Sequence, residues 1–485
     1  MGWNTAHPPE TMSRKVGFIM TQIGTDAAPL RVAIIGSGPS GFYAAEHLFK
    51  QTSLVIEVDM YERLPTPYGL VRGGVAPDHY KIKTVTKTYD KIAANPRFRF
   101  YGNVEFGRDI PHDELKMYYH AIIYAVGAQT DRAMRIPGED LKGSFAATEF
   151  VGWYNAHPDY RDLQFDLSVP AVAVIGNGNV AMDVARILAS SESELRKTDI
   201  ADYALESLTK SKVTDIYMIG RRGPAQAAFT NPELKEFGEM SDADVIVSPE
   251  DATLDPLSLA DLNQNPNSVA QKNIALLKKY SERPVSGKNK RIHMRFLLSP
   301  TALSGTEAVE SIKLVKNELY TAEDGSLRPR PTDQVETLSV GLVFRSIGYK
   351  GVPLLGVPFD DKNAVIPNAA GRVLDPATKQ PIPGEYAVGW IKRGPSGVIG
   401  TNKPDSVETV NKLLEDIPNL PQLDPHKAPR VAVEALLRAC KPDYVTFEDW
   451  LQLDQIELER GASVGRPRIK FSRVPEMLNA LQKRK

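Results

Sequence analysis

Three glycines, Gly36, Gly38 and Gly41, stand between an apolar run at residues 32–35 (VAII) and a helix-like stretch at residues 40–50, and that order leaves few folds open. In a G-x-G-x-x-G turn one glycine makes the tight bend, one lets backbone approach a pyrophosphate, and one lets the helix pack closely on the strand. The helix that follows points its first amides at the phosphates. Pro39 lies inside the turn, and a second strand at residues 55–61 ends in Glu62. That acid comes about 20 residues after the glycines, the spacing at which a carboxylate accepts hydrogen bonds from an adenosine ribose and disfavours a 2′-phosphate. A tight turn that binds nothing accounts for the glycines but not for Glu62.

The next segment, PTPYGLVRGGVAPDH at residues 65–79, is too rich in proline and glycine for a helix or a central strand, yet it carries Arg72 and His79 among apolar residues. Such a loop suits backbone wrapped around a flat ring system. RFRFYGNVEFG alternates like a strand, and the run at residues 121–128 is a buried strand ending at Gly127, after which the chain passes to a second unit.

There the pattern begins again. PAVAVIGNGNVAMDVARIL at residues 170–188 is a strand, a turn with Gly176, Gly178 and Ala181, then a helix; alanine suffices in the third slot because close packing is all that is required of it. A polar insertion at residues 190–212 delays the following strand, residues 213–220, which ends not in an acid but in Arg221 and Arg222. Two guanidinium groups can grip a 2′-phosphate through charge-assisted hydrogen bonds, so this site selects NADP(H) over NAD(H). Beyond it, Glu233 and Glu236 fall three apart on a short helix after Pro232, residues 259–273 read as a polar loop, and residues 340–349 read as the strand that returns the chain to the first unit. A third glycine turn, Gly394 to Gly397 within residues 384–414, aims a helix N-terminus over the sheet, where its dipole favours negative charge.

The expected fold is therefore α/β: two Rossmann-like dinucleotide-binding domains in a glutathione-reductase-like layout, with the NADP domain inserted into the first. Residues 1–30 form a tail, 31–128 and 346–485 the first domain with a C-terminal helical cap, and 129–345 the NADP domain.

The GSGPSG turn, the YERLPTPYGLVRGGVAPDH segment and the later motifs together resemble the adrenodoxin reductase family, most closely its bacterial NADPH–ferredoxin reductases of mycobacterial type, from about Arg31 to the C-terminus. The resemblance implies that FAD is held by Gly36, Gly38, Pro39, Gly41, Glu62, Leu70, Phe106, Trp390, Gly397, Val398 and Ile399. It implies that NADP is held by Asn177, Gly178, Asn179, Val180, Arg221, Arg222 and Glu233, with Gly397 near the nicotinamide. His79 and Glu236 match the pair that the family places beside the reacting rings, as groups that orient the nicotinamide and tune proton uptake. Where many two-dinucleotide flavoproteins carry an Asp after the glycine of the late strand, this chain has Trp390, as its family does.

Composition narrows the chemistry. The single cysteine, Cys440, excludes an intramolecular disulfide, a C-x-x-C redox pair and a cysteine-ligated cluster within one chain. Electrons must leave the flavin for something outside the chain, and the resemblance makes that acceptor a ferredoxin-type iron–sulfur protein. Cys440 itself, in VEALLRACK, reads as a small core residue. A net charge of −1 gives no attraction to nucleic acid or an anionic membrane, and no apolar run reaches the roughly 18 residues of a membrane span. The first thirty residues lack the apolar core of a secretory signal and the arginine-rich pattern of a mitochondrial one, and Met12 and Met20 are alternative starts. A cytoplasmic, monomeric enzyme without a metal site is expected. Lys83, Lys87 and Lys91 recur at helical spacing near Arg72 and Lys81, as a solvated face or as a docking surface for an acidic partner.

The residues alone stop at an NADPH-oxidising flavoprotein that could pass electrons to a quinone, a dye or oxygen. Two further readings stand beside it: an electron-input subunit like the small subunit of glutamate synthase, which needs cysteine-ligated clusters, and a dinucleotide-binding sensor without turnover.

Overall fold

The two strands that lead into the glycine turns, Leu30–Ile35 and Ala171–Ile175, are buried along their whole length, as strands of a parallel sheet covered on both faces must be. Each is the centre of a sheet in the computed structural model, which describes residues 22–483. The first sheet runs in the order Asn368–Ala369, Arg372–Leu374, Pro381–Ala387, Ala121–Tyr124, Leu30–Ile35, Ile56–Tyr61, Phe98–Tyr101. Its last five strands are parallel, and the first two add an antiparallel edge. The second sheet is parallel throughout: Ser144–Ala146, Leu342–Arg345, Ala171–Ile175, Asp215–Ile219, Lys290–Arg295, Ala243–Val247. An antiparallel sheet of Leu298–Ser304, Ser311–Thr321 and Leu327–Ser339 packs beside it.

Several expectations are corrected. Leu342–Arg345 does not return the chain to the first sheet; it pairs with Ala171–Ile175 and Ser144–Ala146 in the second. The return comes next, where Tyr349–Lys350 pairs antiparallel with Thr130–Asp131, so the two crossing segments form one short ladder. Residues 259–273 are not a loop. They belong to the helices Pro256–Gln264 and Ser268–Ser281, started by Asp255, which accepts from Ser258 N at 3.0 Å, and by Asn267, which accepts from the amides of Val269 and Ala270. Their polarity reflects exposure, with caps supplying the order that periodicity failed to announce. Cys440 is exposed at the last turn of Arg430–Cys440, whose buried stripe is Val433 and Leu437.

Residues 1–21 of the expected tail lie outside the described residues. Ile23 is already buried, and Gly24 O accepts from Val55 N at 2.8 Å. Among the described residues no helix is long and apolar enough to cross a membrane.

The helices Phe447–Ala462 and Val474–Gln482 place Trp450, Leu453, Met477 and Leu481, with Phe471 between them, in the core of the first sheet. Residues 463–473 then reach to the second unit: Arg466 donates to Thr198 O, Ile200 O and Asp202, and Arg473 to Asp162. Beneath this strap, Lys470 and Lys83 share Asp199 at 3.2 and 2.7 Å. Lys83 therefore does not stand on a docking face with Lys87 and Lys91, which are exposed. The helix expected after His79 is broken into Tyr80–Lys83 and Thr86–Ala93, and the break turns Lys83 inward. Arg72 is likewise engaged, bidentate on the buried Glu457 at 2.6 and 2.8 Å.

Burial would raise the Asp199 carboxyl, but Lys470 and Lys83 outweigh it and hold the group at about 2, below its ordinary 3.8. One carboxylate cannot offset burial for two ammonium groups at once, so both lysines are pulled below their usual value. Asp199→Ala should lower the unfolding free energy by about 3 to 5 kcal/mol in a urea titration, the cost of stranding a buried charge. Because the folded carboxyl titrates below the unfolded one, its contribution is full above about pH 4 and is lost as pH falls toward 2.

Candidate active site between the two sheets

Both glycine turns leave the same gap. Gly36 has φ +102°, and a Cβ there would lie 2.7 Å from Ala125 O; Gly176 has φ +134°, and a Cβ would lie 2.2 Å from Ser346 O. Only glycine closes such bends. A Cβ on Gly41 would strike Gly36 O at 2.5 Å, and its counterpart Ala181 is fully buried. By contrast, the space around a Cβ on Gly38 or Gly178 is open to 4 Å. The helices that start there, Pro39–Phe49 and Asn179–Ala189, have no side-chain cap and no acid in the first turn. Pro39, at the head of its helix, gives up an amide that had no partner to lose. Two open cradles with unclaimed amides at helix starts fit two dinucleotide pyrophosphates.

Around the first turn the predicted residues come together at the carboxyl ends of the parallel strands. Glu62 accepts from Ser37 N at 3.2 Å, Ser37 Oγ at 2.7 Å and Leu64 N at 3.1 Å. The loop after it folds back: Tyr68 N donates to Ser37 O, and Gly69, with φ +49°, would bring a Cβ to 3.0 Å from Gly38 Cα. Leu70 follows with 40% of its surface exposed. Phe106 rests edge-on against Tyr124 and His112. On the far side, Gly389 N donates to Asp405 at 2.6 Å, inside the first turn of Asn402–Asp416, so this helix start already faces a carboxylate. Trp390 lies 5.2 Å from the Tyr349 ring and donates Nε1 to Ser396 O. Gly397 has φ +82°, Val398 is 56% exposed, and Ile399 packs on the first core.

At the second turn, Asn177 and Asn179 organise protein as well as facing the cradle. Asn177 O accepts from Ala228 N and Phe229 N, and Asn179 Oδ1 accepts from Thr230 N at 2.9 Å. These bonds start the helix Asn231–Phe237, which carries Glu233 and Glu236. Val180 is partly buried beside the core of this unit. Arg221 and Arg222 follow the strand Asp215–Ile219 with their backbones fixed, Arg221 O by Asn317 Nδ2 at 2.8 Å and Arg222 O by Leu297 N at 3.2 Å. Among the described residues neither guanidinium pairs with a carboxylate; Arg222 reaches only Gln226 O at 3.4 Å. Burial and the charge of Arg221 pull Arg222 below its usual value. Adjacent cations without a counter-ion are what an anion site requires.

Between the cradles lies a charged cluster that the sequence disclosed only in part. His79 Nε2 is 2.9 Å from Glu236 and 3.8 Å from Glu233, and its Nδ1 is 3.7 Å from Asp183. Arg186, 4% exposed, donates to Asp78, Asp183 and Glu233. Burial opposes charge on His79, yet Glu236 and the surrounding carboxylates carry it above its usual value. The His79 contact holds Glu236 low, whereas burial and Asp183 push Glu233 up to about 7. His79, Asp183 and Glu233 have the spacing of a metal set, but the Arg186 guanidinium already occupies the carboxylates and would repel a cation. Asp78, Asp183 and Arg186 were not singled out from the sequence. The available signal was two charges, Asp183 and Arg186, on a helix otherwise buried and apolar from Ala181 to Ala189.

Comparison with known proteins agrees with this geometry. Residues 30–220 match the family described as pyridine nucleotide-disulphide oxidoreductase. The chain is 46% identical over 458 residues to the NADPH-ferredoxin reductase FprA of Mycobacterium tuberculosis, covering 93% of this chain and 98% of the relative. It is 41% identical over 480 residues to the mitochondrial NADPH:adrenodoxin oxidoreductase of Salvelinus fontinalis, covering 96% and 94%. The structure of Mycobacterium tuberculosis FprA in complex with NADPH superposes with a TM-score of 0.89 at 45% identity, over 94% of this chain and all of the other. The chain therefore belongs to the adrenodoxin reductase family, in its branch of mycobacterial-type NADPH–ferredoxin reductases.

Proposed function

We propose that this protein is an FAD-containing ferredoxin–NADP⁺ reductase. One observation carries the reading: two open glycine cradles end in opposite charge, Glu62 at one and Arg221–Arg222 at the other, with His79 and Glu236 paired between them at 2.9 Å. FAD, when bound, accepts hydride from NADPH and releases electrons singly to a ferredoxin-type iron–sulfur protein.

The chain's own residues position and discriminate. The amides after Gly38 face the FAD pyrophosphate, and Glu62, steadied by Ser37 and Leu64, accepts from the ribose. Leu70, Phe106, Trp390 and the Gly397–Val398–Ile399 backbone enclose the rest of the cofactor. The amides around Gly178 to Val180, in a turn shaped by Asn177, face the NADP pyrophosphate; Arg221 and Arg222 bind the 2′-phosphate; Glu233 and Gly397 stand toward the nicotinamide half. His79, held by Glu236, orients the nicotinamide and holds a proton near the flavin. Residues 31–128 with 346–485 form the FAD domain and 129–345 the NADP domain, with the crossing ladder at their junction. A cytoplasmic monomer completes the reading. The sensor alternative leaves the His79–Glu236 pair without a task.

Purified protein should be yellow and should bleach anaerobically with NADPH far faster than with NADH; a colourless protein that binds NADPH without turnover would refute the assignment. Replacing Arg221 and Arg222 together with Ala should lower kcat/KM for NADPH by about 3 kcal/mol, roughly a hundredfold, because charge-assisted hydrogen bonds are lost. NADH, which lacks the 2′-phosphate, should be used almost as before. Equal losses for both nucleotides would remove the arginines from the phosphate site.

A further inference from the structure

Arg186 is the point at which the two nucleotide-binding units grip each other beside the candidate reaction centre. It rises from the helix Asn179–Ala189, whose first turn faces the NADP cradle. Its Nε and Nη2 take both oxygens of Asp78 at 2.7 and 3.1 Å, and Asp78 belongs to the corner of the first unit that also carries His79. Its Nη1 takes Glu233 at 2.9 Å and lies 3.6 Å from Glu236, while Nη2 takes Asp183 at 2.6 Å and stands 3.5 Å from His79 Nδ1. One planar fork thus fixes the corner of one unit against two helices of the other. A lysine, with a single point of charge, could not reach these groups at once.

We propose that Arg186 is a positioning residue for electron transfer between the two nucleotides: it clamps the Asp78–His79 corner to the NADP-side helices and so sets the His79 ring against Glu236. The inference rests on the reading of the protein as an NADPH-oxidising flavoprotein and adds the residue that aligns its reacting pair.

The charge of the cluster gives the clamp a second consequence. Asp78, Asp183, Glu233 and Glu236 surround Arg186 and His79, and two tyrosines, one buried and one partly buried, face the same space. Tyr154 comes from the helix Ala147–Tyr154 with no hydrogen-bond partner on its hydroxyl among the described residues, and Tyr349 from the crossing ladder; both phenols feel Asp183 and are pushed up by burial. Asp78 is held low despite burial, by Arg186. Among the strongest influences on His79, the charge of Arg186 opposes its proton, while Glu236, Asp183 and Asp78 favour it. A lysine at this place keeps the opposing charge but not the fork, so a ring no longer held against Glu236 loses the contact that most favours its proton and titrates at lower pH; a bolt that does not position the ring would leave the titration where it is.

The test uses the flavin-loaded protein and three variants. Arg186→Lys keeps the charge and loses the fork; Arg186→Gln with Asp183→Asn loses the fork at unchanged net charge; Asp78→Asn loosens the grip from its more exposed end with Arg186 in place. Flavin content and the Kd for NADPH should stay within about threefold of the parent, while the anaerobic rate of flavin bleaching falls roughly 10- to 100-fold, as expected for a misplaced reacting group. The His79 titration, followed by NMR of histidine-labelled protein and identified with His79→Gln, should move to lower pH in Arg186→Lys, and the pH profile of bleaching should move with it. Unchanged rate, pH profile and His79 titration in any folded variant that lacks the fork would overturn the proposal. Failure of NADPH to bleach the parent would instead refute the reductase reading, and the His79 titration would still report on the clamp.

Discussion

A parallel strand that hands over to a helix through a glycine turn leaves backbone amides unsatisfied at its carboxyl end, and this protein meets that constraint twice. Among the described residues, the helix start at Gly38 and Gly178 has no side-chain cap, and no atom fills the place where a side chain would begin. The surrounding structure is disposed around those two openings. The loop from Leu64 to Gly69 folds onto the first, the segment from Ala228 to Thr230 is hung from Asn177 and Asn179 at the second, and Ser346 O closes behind Gly176.

Two nucleotide sites in one chain are useful only if they face each other, and here charge does the fastening. Lys83 and Lys470 of the first unit meet on Asp199 of the second, and Arg186 of the second takes Asp78 of the first together with its own Asp183 and Glu233; within the first unit, Arg72 and Arg468 hold Glu457 beside the strap. Buried ion pairs add little net stability relative to apolar packing, but they are intolerant of rearrangement, because a lost partner strands a charge. They therefore suit a junction whose geometry matters more than its strength.

The comparison between sequence and structure follows the range of the forces concerned. Gly36, Gly38, Gly41, Glu62, Arg221 and Arg222 were legible because local geometry and fixed spacing dictate them. His79 and Glu236 became legible through a family resemblance, and the structure brings them to 2.9 Å. Lys83 was misread as a surface charge because helical spacing cannot say that the helix breaks at residues 84–85 or that Asp199 lies opposite. Cys440 was misread as core because an amphipathic stripe has an edge, and Val433 and Leu437 define it. The helices at Pro256–Gln264 and Ser268–Ser281 were missed because their faces are mostly exposed, which leaves little apolar period to detect.

The sequence by itself determined the number of nucleotide cradles, the sign of charge at the end of each, and, through a single cysteine, that electrons must leave the chain. These follow from motifs that lie within about fifty residues of one another or from composition. The tertiary structure alone decided that Asp78, Asp183 and Arg186 surround the His79–Glu236 pair and that Lys83 is locked under the C-terminal strap. Apart from the neighbours Asp78 and His79, the three-residue step from Asp183 to Arg186 and the span from Arg186 to Glu236 within the second unit, those partners lie 100 or more residues apart along the chain, and the side chain of a buried charge is identified by the opposite charge that reaches it, which no local pattern encodes.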